Sequence, residues 1–518
     1  MVFNVLENPI IPGFAPDPSI VRIGEEYFLV TSSFHLFPGL PIYCSKDLVS
    51  WTHIGNAINR TSQLSLTGAS TLLHNFNGPS KNRIVGTGGL WAPTIRHYRG
   101  TIYIVGTNAM HIHNNDDNVK PDIEFANFII HTYDIHSDNW SDPIFFDFWG
   151  IDPDLFFDDD GRAYVSGSSW KTDPGTIDCF EIDLETGRKV SQQQHGRWYY
   201  ILASEGGTHE DHQISIARSE SIWGPFEGCP NNPILTPSSA RPDQYIQYNG
   251  HGDLFQDEDG EWFLVWLAAR RDPDGRCIMG RETFLTPMQW SHGSWPVIEQ
   301  PLALDRAPSE GIAFPRPLRP NLDFVWIRDP DLACYEVLED GRIIKIRPSA
   351  RDINERIGHI SFVGKRQRIL VGQATVTLRT ASDSLFAAKD VVAGLAYYKD
   401  EHRYARIAFD YTTSTIFVEA KKADGVSLIQ ARTGGLSVEM AEGVDINFCI
   451  RYTEKSLAFG YSARNISQNG WIFICTMDTL DLTDRDFTGP CVGIFSAMKA
   501  ACASGGVTVT FVDISVHG

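Results

Sequence analysis

Asp17-Pro-Ser-Ile20, followed after three residues by Gly24-Glu-Glu-Tyr-Phe-Leu-Val30, is the stretch whose reading decides the fold. It joins a short strand, a glycine turn and a β-branched, aromatic second strand, which is the pattern of a hairpin. The same unit returns as Ala92-Pro-Thr-Ile95 with Gly100-Thr-Ile-Tyr-Ile-Val105, as Asp152-Pro-Asp-Leu155 with Gly161-Arg-Ala-Tyr-Val165, and as His251-Gly-Asp-Leu254 with Gly260-Glu-Trp-Phe-Leu-Val265. A fifth copy, Gly196-Arg-Trp-Tyr-Tyr-Ile-Leu202, has the second strand without a matching first strand. Five second strands within roughly three hundred residues predict a five-bladed β-propeller, at about 60 residues per blade.

The remaining chain agrees. From about residue 5 to 300 the runs are short, with turns such as Asp158-Asp-Asp-Gly161 and Asp257-Glu-Asp-Gly260, and no helical period stands out. Residues 301–324 are punctuated by Pro301, Pro308, Pro315, Pro317 and Pro320, the mark of a strap between domains. Beyond 325 the repeat stops, but strand patterning continues through Ala374-Thr-Val-Thr-Leu378, Tyr404-Ala-Arg-Ile-Ala-Phe409 and Val507-Thr-Val-Thr-Phe511. About ten such strands read as a two-sheet sandwich of the concanavalin or lectin type. The predicted organisation is a propeller over 1–305, a linker over 306–324 and a sandwich over 325–518.

A chain of 518 residues with a net charge of -20 lacks the basic surface that nucleic acid or an anionic membrane needs. A neutral sugar suits it. The N-terminal residues Met1-Val-Phe-Asn-Val show no signal-like apolar run, and no stretch approaches the ~20 apolar residues of a membrane span. Nine scattered cysteines without a Cys-x-x-Cys read as reduced thiols. The expected location is therefore cytoplasmic; secretion stays open should the natural start lie upstream.

In a propeller the first strand of each blade lines the central channel, so equivalent positions on different blades converge. Asp17, Asp152 and His251 open three of the four complete repeats, and Ala92, beside Trp91, opens the other. A single Asp-Pro at a strand start is most simply a turn or a cap. Two at equivalent repeat positions point to carboxylates sharing one pocket, where unlike environments can separate acid from base.

With these residues in view, the chain resembles glycoside hydrolase family 43, specifically its two-domain β-xylosidase/α-L-arabinofuranosidase branch. The resemblance rests on Asn8-Pro-Ile-Ile-Pro-Gly-Phe-Ala-Pro-Asp-Pro-Ser19, Thr31-Ser-Ser-Phe-His-Leu-Phe-Pro-Gly39, Gly89-Leu-Trp-Ala-Pro-Thr94, Ile151-Asp-Pro153, Glu205-Gly-Gly-Thr208, Gly250-His-Gly-Asp253 and Gly280-Arg-Glu-Thr283. In the second domain Gly364-Lys-Arg-Gln367 and Thr488-Gly-Pro-Cys-Val-Gly-Ile494 carry it more weakly. It implies an inverting exo-glycosidase acting on xylosidic or arabinofuranosidic bonds in xylan-derived oligosaccharides. Asp17 would be the general base, and Asp152 would tune and orient the general acid. Phe34 and Trp91 would pack on the sugar, Thr208 would lie nearby, and Arg281 would bond a sugar hydroxyl. His251 would stand at the channel centre, where some relatives hold water or calcium. No organic cofactor is implied, and a homo-oligomer is left open.

The family's acid is a Glu on the first strand of the next blade, and here the repeat is incomplete. The blade glycines 24, 100, 161, 196 and 260 are separated by 76, 61, 35 and 64 residues. The 35-residue interval is too short for two outer strands, a return and a new inner strand, so the fourth blade is expected to be truncated near 185–196. No Glu-Gly-Pro occurs in the chain. Either the chain is a shortened version of an active enzyme, which the otherwise intact pocket favours, or it is a degenerate sugar-binding relative. Fructoside hydrolysis on the same scaffold is a third, more distant reading. Glu205, ending the second strand of the damaged blade, is the one candidate for a substitute acid, though a hydrogen-bonding role at the Gly206-Gly207 turn is the simpler reading. His111-Ile-His113 with Asn114–Asp117 reads as a solvated blade connection before a metal cluster. Arg270-Arg271 with Asp272-Pro-Asp274 reads as a salt-linked turn, and Trp170, Trp223 and Trp266 as packing residues.

Overall fold

The computed structural model describes residues 7–75, 83–113, 121–171, 175–190, 198–236, 240, 242–291, 293–300, 314–380, 390–422, 427–433, 445–463, 470–498 and 507–517. The four repeat glycines Gly24, Gly100, Gly161 and Gly260 all turn their hairpins at positive φ, between 63° and 91°. This is the backbone region that glycine enters without strain, and it is why the repeat can be read at all.

Each hairpin starts a blade. Blade I runs Ser19–Ile23, Glu26–Val30, Gly39–Ser45 and Thr52–Ile58 from the channel outward. Blade II runs Gly89–Tyr98, Thr101–Ile112, Asp122–Thr132 and Ile144–Phe146, and blade III runs Gly150–Phe157, Ala163–Ser169, Thr176–Ile182 and Lys189–Val190. Blade V has Ile246–Gln256, Trp262–Arg270 and Arg281–Met288. Its outer edge is closed by the start of the chain. Ile11 and Thr283 exchange backbone hydrogen bonds at 3.3 and 3.2 Å, and the Asn8 side chain both donates to and accepts from the Leu285 backbone.

Blade IV has three described strands, Tyr199–Glu205, Gln213–Ser219 and Glu227–Gly228. Tyr199–Glu205 is the repeat's second strand, yet it forms the inner edge of the sheet. The inner strand of blade V packs against it. Between Val190 of blade III and Tyr199 lie residues 191–198. Eight residues reach at most ~29 Å. The inner strands of blades II, III and V alone have 10, 8 and 11 residues, so the interval is no longer than one of them. The truncation expected near 185–196 centres on 191–197, which lie outside the described residues.

The sandwich pairs a seven-stranded sheet, which includes Gly372–Arg379, Ile446–Tyr452 and Val509–His517, with a six-stranded one, which includes Phe362–Arg366, Val391–Asp400, Arg403–Asp410 and Cys491–Met498. Alternate residues such as Val376, Leu395, Ile407, Phe448 and Ile494 fill the space between them. The strap between the domains is more structured than a linker. Arg316–Pro317 adds a parallel strand to the outer edge of blade I, opposite Thr52 and His53, and Trp326–Ile327 pairs with Leu36–Phe37. Residues 301–313 of the proline-rich stretch lie outside the described residues. Side chains then lock the domains together. Arg276 holds Asp478 at 2.7 Å, Tyr245 donates to Glu454 at 2.7 Å, and Glu401 accepts from the Thr71 N–H at 2.6 Å.

Candidate active site

The four residues that open the complete repeats share a backbone signature. Asp17, Ala92, Asp152 and His251 sit at φ of 53°, 42°, 54° and 41°, a left-handed conformation that costs a non-glycine residue roughly 1 kcal/mol or more. In blades II, III and V the register slips next to that residue, between Trp91 and Thr94, Ile151 and Asp154, and Gly250 and Gly252. A bulge of this kind re-aims a side chain. Here it turns the strand mouths toward the channel, and the convergence argued from the repeat follows.

Asp17 is buried, at 7% exposure. Ser32, just past the second strand of blade I, donates from Oγ to Asp17 Oδ2 at 2.6 Å and accepts from the Ala92 N–H at 2.6 Å. One hydroxyl therefore fixes the carboxylate to the neighbouring blade. Arg281, from the third strand of blade V, brings Nη1 to 4.0 Å from Asp17 Oδ1, and it also donates to the Thr208 carbonyl. Asp152 is exposed to solvent at the strand mouth, although protein surrounds it densely. That enclosure pushes its pKa up to about 6; the negative Asp17 adds to the rise, while His251 and Arg281 oppose it. His251 donates its backbone N–H to Ser204 Oγ at 2.7 Å. His212 packs over the preceding Gly250 so closely that a Cβ there would fall 2.0 Å from the ring, which accounts for glycine at that position. Burial holds His212 down to about 3, with the Arg281 charge adding to the effect.

Phe34 and Trp91, the two aromatics expected to face the sugar, lie 6.2 Å apart between ring centroids. A third ring comes from the other domain. Phe487, just after the short Arg485–Asp486 strand, stacks on Phe34 at 6.2 Å, meets His209 edge-on at 5.7 Å and lies 4.1 Å from the Arg281 guanidinium. Arg485 anchors this segment by an ion pair with Glu210 at 2.8 Å. The sandwich thus completes the wall of a pocket whose floor is the propeller. Nothing in the repeat pointed to Phe487, because it lies outside the repeating region.

A second layer lies beneath the first. Arg96 of blade II bonds Asp154 of blade III at 2.7 Å and Asp253 of blade V at 2.8 Å, while Ser19 of blade I donates to Asp253 at 2.6 Å. Ser19, Asp154 and Asp253 each stand two residues after a channel-opening residue, so the repeat carried this signal too. These bonds tie the four inner strands together, and blade IV contributes no described member.

Glu205 is exposed at the end of its strand. Side chains alternate along Tyr199–Glu205. Tyr200 meets Trp290 and Ser204 meets His251, both of blade V, whereas Tyr199 donates to Asp158 of blade III. Glu205 therefore belongs to the face toward blade III, but the charges acting on Asp152 are His251, Asp17 and Arg281. Thr208 is exposed too, with Oγ1 2.9 Å from His209 Nδ1.

Other expectations are corrected. Trp170 is not packed away. It is 47% exposed and sits edge-on to Phe125, which also contacts Trp91 and the exposed Trp149. Trp266 is fully buried and Trp223 packs on Tyr164, as expected. His111 is not in a solvated loop, because its strand runs on to Ile112 and its Nδ1 lies 2.7 Å from the Ser70 carbonyl; residues 114–117 lie outside the described residues. The salt-linked turn after Arg270 is closed by Arg276 on Asp272 and Asp274, while Arg270 pairs with Glu282. For calcium, His251 is a single nitrogen donor beside a cation that prefers six to eight oxygens. Among the described residues no three His, Cys, Asp or Glu side chains converge to hold a metal. Calcium held at His251 would have to take its oxygens from water.

Paired channel carboxylates, a fixed guanidinium and stacked aromatic walls define a glycoside hydrolase. The profile of glycosyl hydrolases family 43 matches residues 6–195 and 192–296, and that of the β-xylosidase C-terminal concanavalin A-like domain matches residues 317–512. The chain belongs to glycoside hydrolase family 43. The break in the first match falls at the shortened interval. The chain is 30% identical over 535 residues to a non-reducing end α-L-arabinofuranosidase of Bacteroides ovatus, spanning 95% of this chain and 92% of that protein. It is 32% identical over 379 residues to a xylosidase/arabinosidase of Humicola insolens, spanning 66% of each. The solved structure of the Bacteroides ovatus Xyloglucan PUL GH43B superposes with a TM-score of 0.79 at 28% identity, covering 98% of this chain and 99% of that one.

Proposed function

We propose that the chain removes terminal xylose or arabinofuranose from xylan-derived oligosaccharides with inversion at the anomeric carbon. The observation that carries this reading is the convergence of Asp17, Asp152 and Arg281 at one channel mouth under the Phe34, Trp91 and Phe487 rings. Ser32 occupies Asp17 Oδ2, which leaves Oδ1 to take a proton from the attacking water. Arg281 positions Asp17 and presents its guanidinium edge to a sugar hydroxyl, for which its planar fork is suited. The aromatic walls take the apolar sugar face, and Phe125, Trp149 and Trp170 continue that surface toward the aglycone. The reaction needs no organic cofactor. An inverting enzyme keeps its two carboxyl groups ~6.5–9.5 Å apart so that water fits between them.

Leaving-group protonation is the weak step. Blade IV has no described inner strand to carry an acid. Asp152, raised to about 6, is the described channel carboxyl that keeps its proton furthest into the mildly acidic range. The reading is tested with 4-nitrophenyl xyloside and arabinofuranoside, following the anomer first released by NMR. Release of α-xylose from a β-xyloside is expected. Release of β-xylose, or calorimetric xylose binding without any turnover, overturns it, and the latter outcome selects a sugar-binding protein.

A further inference from the structure

Away from the channel, the propeller and the sandwich line a cavity of about 70 Å³ that opens to solvent. Its wall carries Lys365, Arg366 and Arg368 of the sandwich, Asp323 of the strap and His53 of blade I. Three cations thus meet one carboxylate, and that carboxylate is already engaged, since Asp323 Oδ2 lies 2.9 Å from Lys365 Nζ. Arg368 donates to the Pro12 carbonyl and the Tyr43 hydroxyl, both at 2.9 Å. These are neutral acceptors that leave its charge in place.

Arg366 is the outlier. It is 5% exposed, and its Nε and Nη2 have no acceptor among the described residues. The Phe14 ring lies 5.6 Å from its guanidinium, and Asp323, the carboxylate that acts on it, is already paired with Lys365. A buried guanidinium with no counter-charge of its own is strongly unfavourable, and an arriving anion would compensate it. The neighbouring imidazole senses the same field. His53 is held down to about 3, by burial first and then by Arg368 and Arg366.

We propose that this interdomain cavity binds a phosphate-class oxyanion, free or as a monoester, against Arg366 and Arg368, clamping sandwich to propeller. Two net cations suit a dianion. Guanidinium groups suit its oxygens, and Phe314, Ile369 and Val516 leave an apolar flank for an ester group. The site is separate from the sugar pocket and does not depend on hydrolysis.

The test is a thermal-denaturation titration of the full chain with inorganic phosphate and with ribose 5-phosphate, each against chloride at matched ionic strength. A saturable rise in Tm is expected with phosphate and not with chloride, and a tighter midpoint for ribose 5-phosphate identifies an ester as the ligand. Arg366→Met is expected to abolish the response while melting at or above the wild-type temperature in phosphate-free buffer, because it removes the uncompensated charge. Should that variant not fold, Arg368→Gln is expected to weaken the midpoint by about tenfold. A wild-type shift no larger than that of chloride overturns the proposal. So does an unchanged response in Arg366→Met or an unchanged midpoint in Arg368→Gln.

Discussion

Blades III and IV are neighbours built from the same hairpin, and among the described residues they differ by one strand. Blade III presents Gly150–Phe157 to the channel, with Asp152 at its mouth and Asp154 tied to Arg96 below. Blade IV presents Tyr199–Glu205, a second strand, in the inner place. Its packing nevertheless survives. Leu202, Ile214 and Ile216 share a core with Leu264 and Trp266 of blade V, and Tyr199 reaches Asp158 of blade III. From outside, the sandwich braces its loop through Arg485 on Glu210 and Phe487 on His209. A propeller blade is held mainly by its faces, so the fold tolerates the loss of an inner strand. The chemistry is carried by the inner strands, so a difference between these two blades is expected to tell there.

The comparison breaks most directly on substrates of graded leaving-group ability. Without an acid on blade IV, turnover of xylobiose should fall about 10²–10⁴-fold below that expected from its aryl-xyloside rate, because good leaving groups need no proton. A steep fall of kcat/KM with leaving-group pKa is the expected measurement. A flat plot would mean that a proton donor is in place despite the missing strand. A transcript read across the codons for residues 185–200 would show whether a longer form encodes about twenty to thirty further residues there, one repeat's worth.

The complete blades make the opposite forecast. Asp17→Asn should lower kcat/KM by about 10²–10³ even on activated aryl xylosides, since activation of water does not depend on the leaving group. A loss confined to xylobiose would show that Asp17 is not the base.

The repeat made the propeller legible because each hairpin needs glycine at positive φ, and the channel was legible because equivalent strand mouths must converge. Asp17, Asp152 and His251 were reached in that way, and Arg281 through the family resemblance. Phe487 was not, because its approach depends on how a non-repeating domain docks. Trp170 was misjudged as packing, because strand alternation does not reveal that a blade's end projects beside the pocket. Ser19, Asp154 and Asp253 stood in the repeat at a constant offset of two residues, but the ring they close with Arg96 can be recognised only once the strands are seen side by side.

Asp152 supplies a subtler test. Its folded pKa of about 6 lies above the ordinary carboxylate value. Folding therefore favours the protonated form, and that stabilisation, present below about pH 4, is lost as pH rises through about 6. The Tm of wild type relative to Asp152→Asn should fall between those limits and stay level above them. The buried His209 and His212 are common to both proteins and cancel in the difference. A level difference curve from pH 4 to 8 would show that the channel does not raise this carboxyl. Glu210→Gln, which loosens the brace on blade IV, should raise KM by about twofold to fivefold, the worth of a partly exposed ion pair. An unchanged KM would show that Arg485 does not position Phe487.

The smallest effect is expected at Glu205. It stands on the face of its strand toward blade III, so geometry alone admits it as a donor. Yet it is exposed, and the charges acting on Asp152 do not include it. A working acid must lie within hydrogen-bond reach of the glycosidic oxygen and couple to the channel charges. Glu205→Gln should therefore change kcat/KM on aryl xylosides and on xylobiose by less than about twofold, against the 10²–10⁴ that a general acid supplies. If the variant instead abolished xylobiose turnover while sparing aryl xylosides, blade IV would be supplying the proton from its second strand. Blades III and IV would then divide the acid–base work despite their different construction.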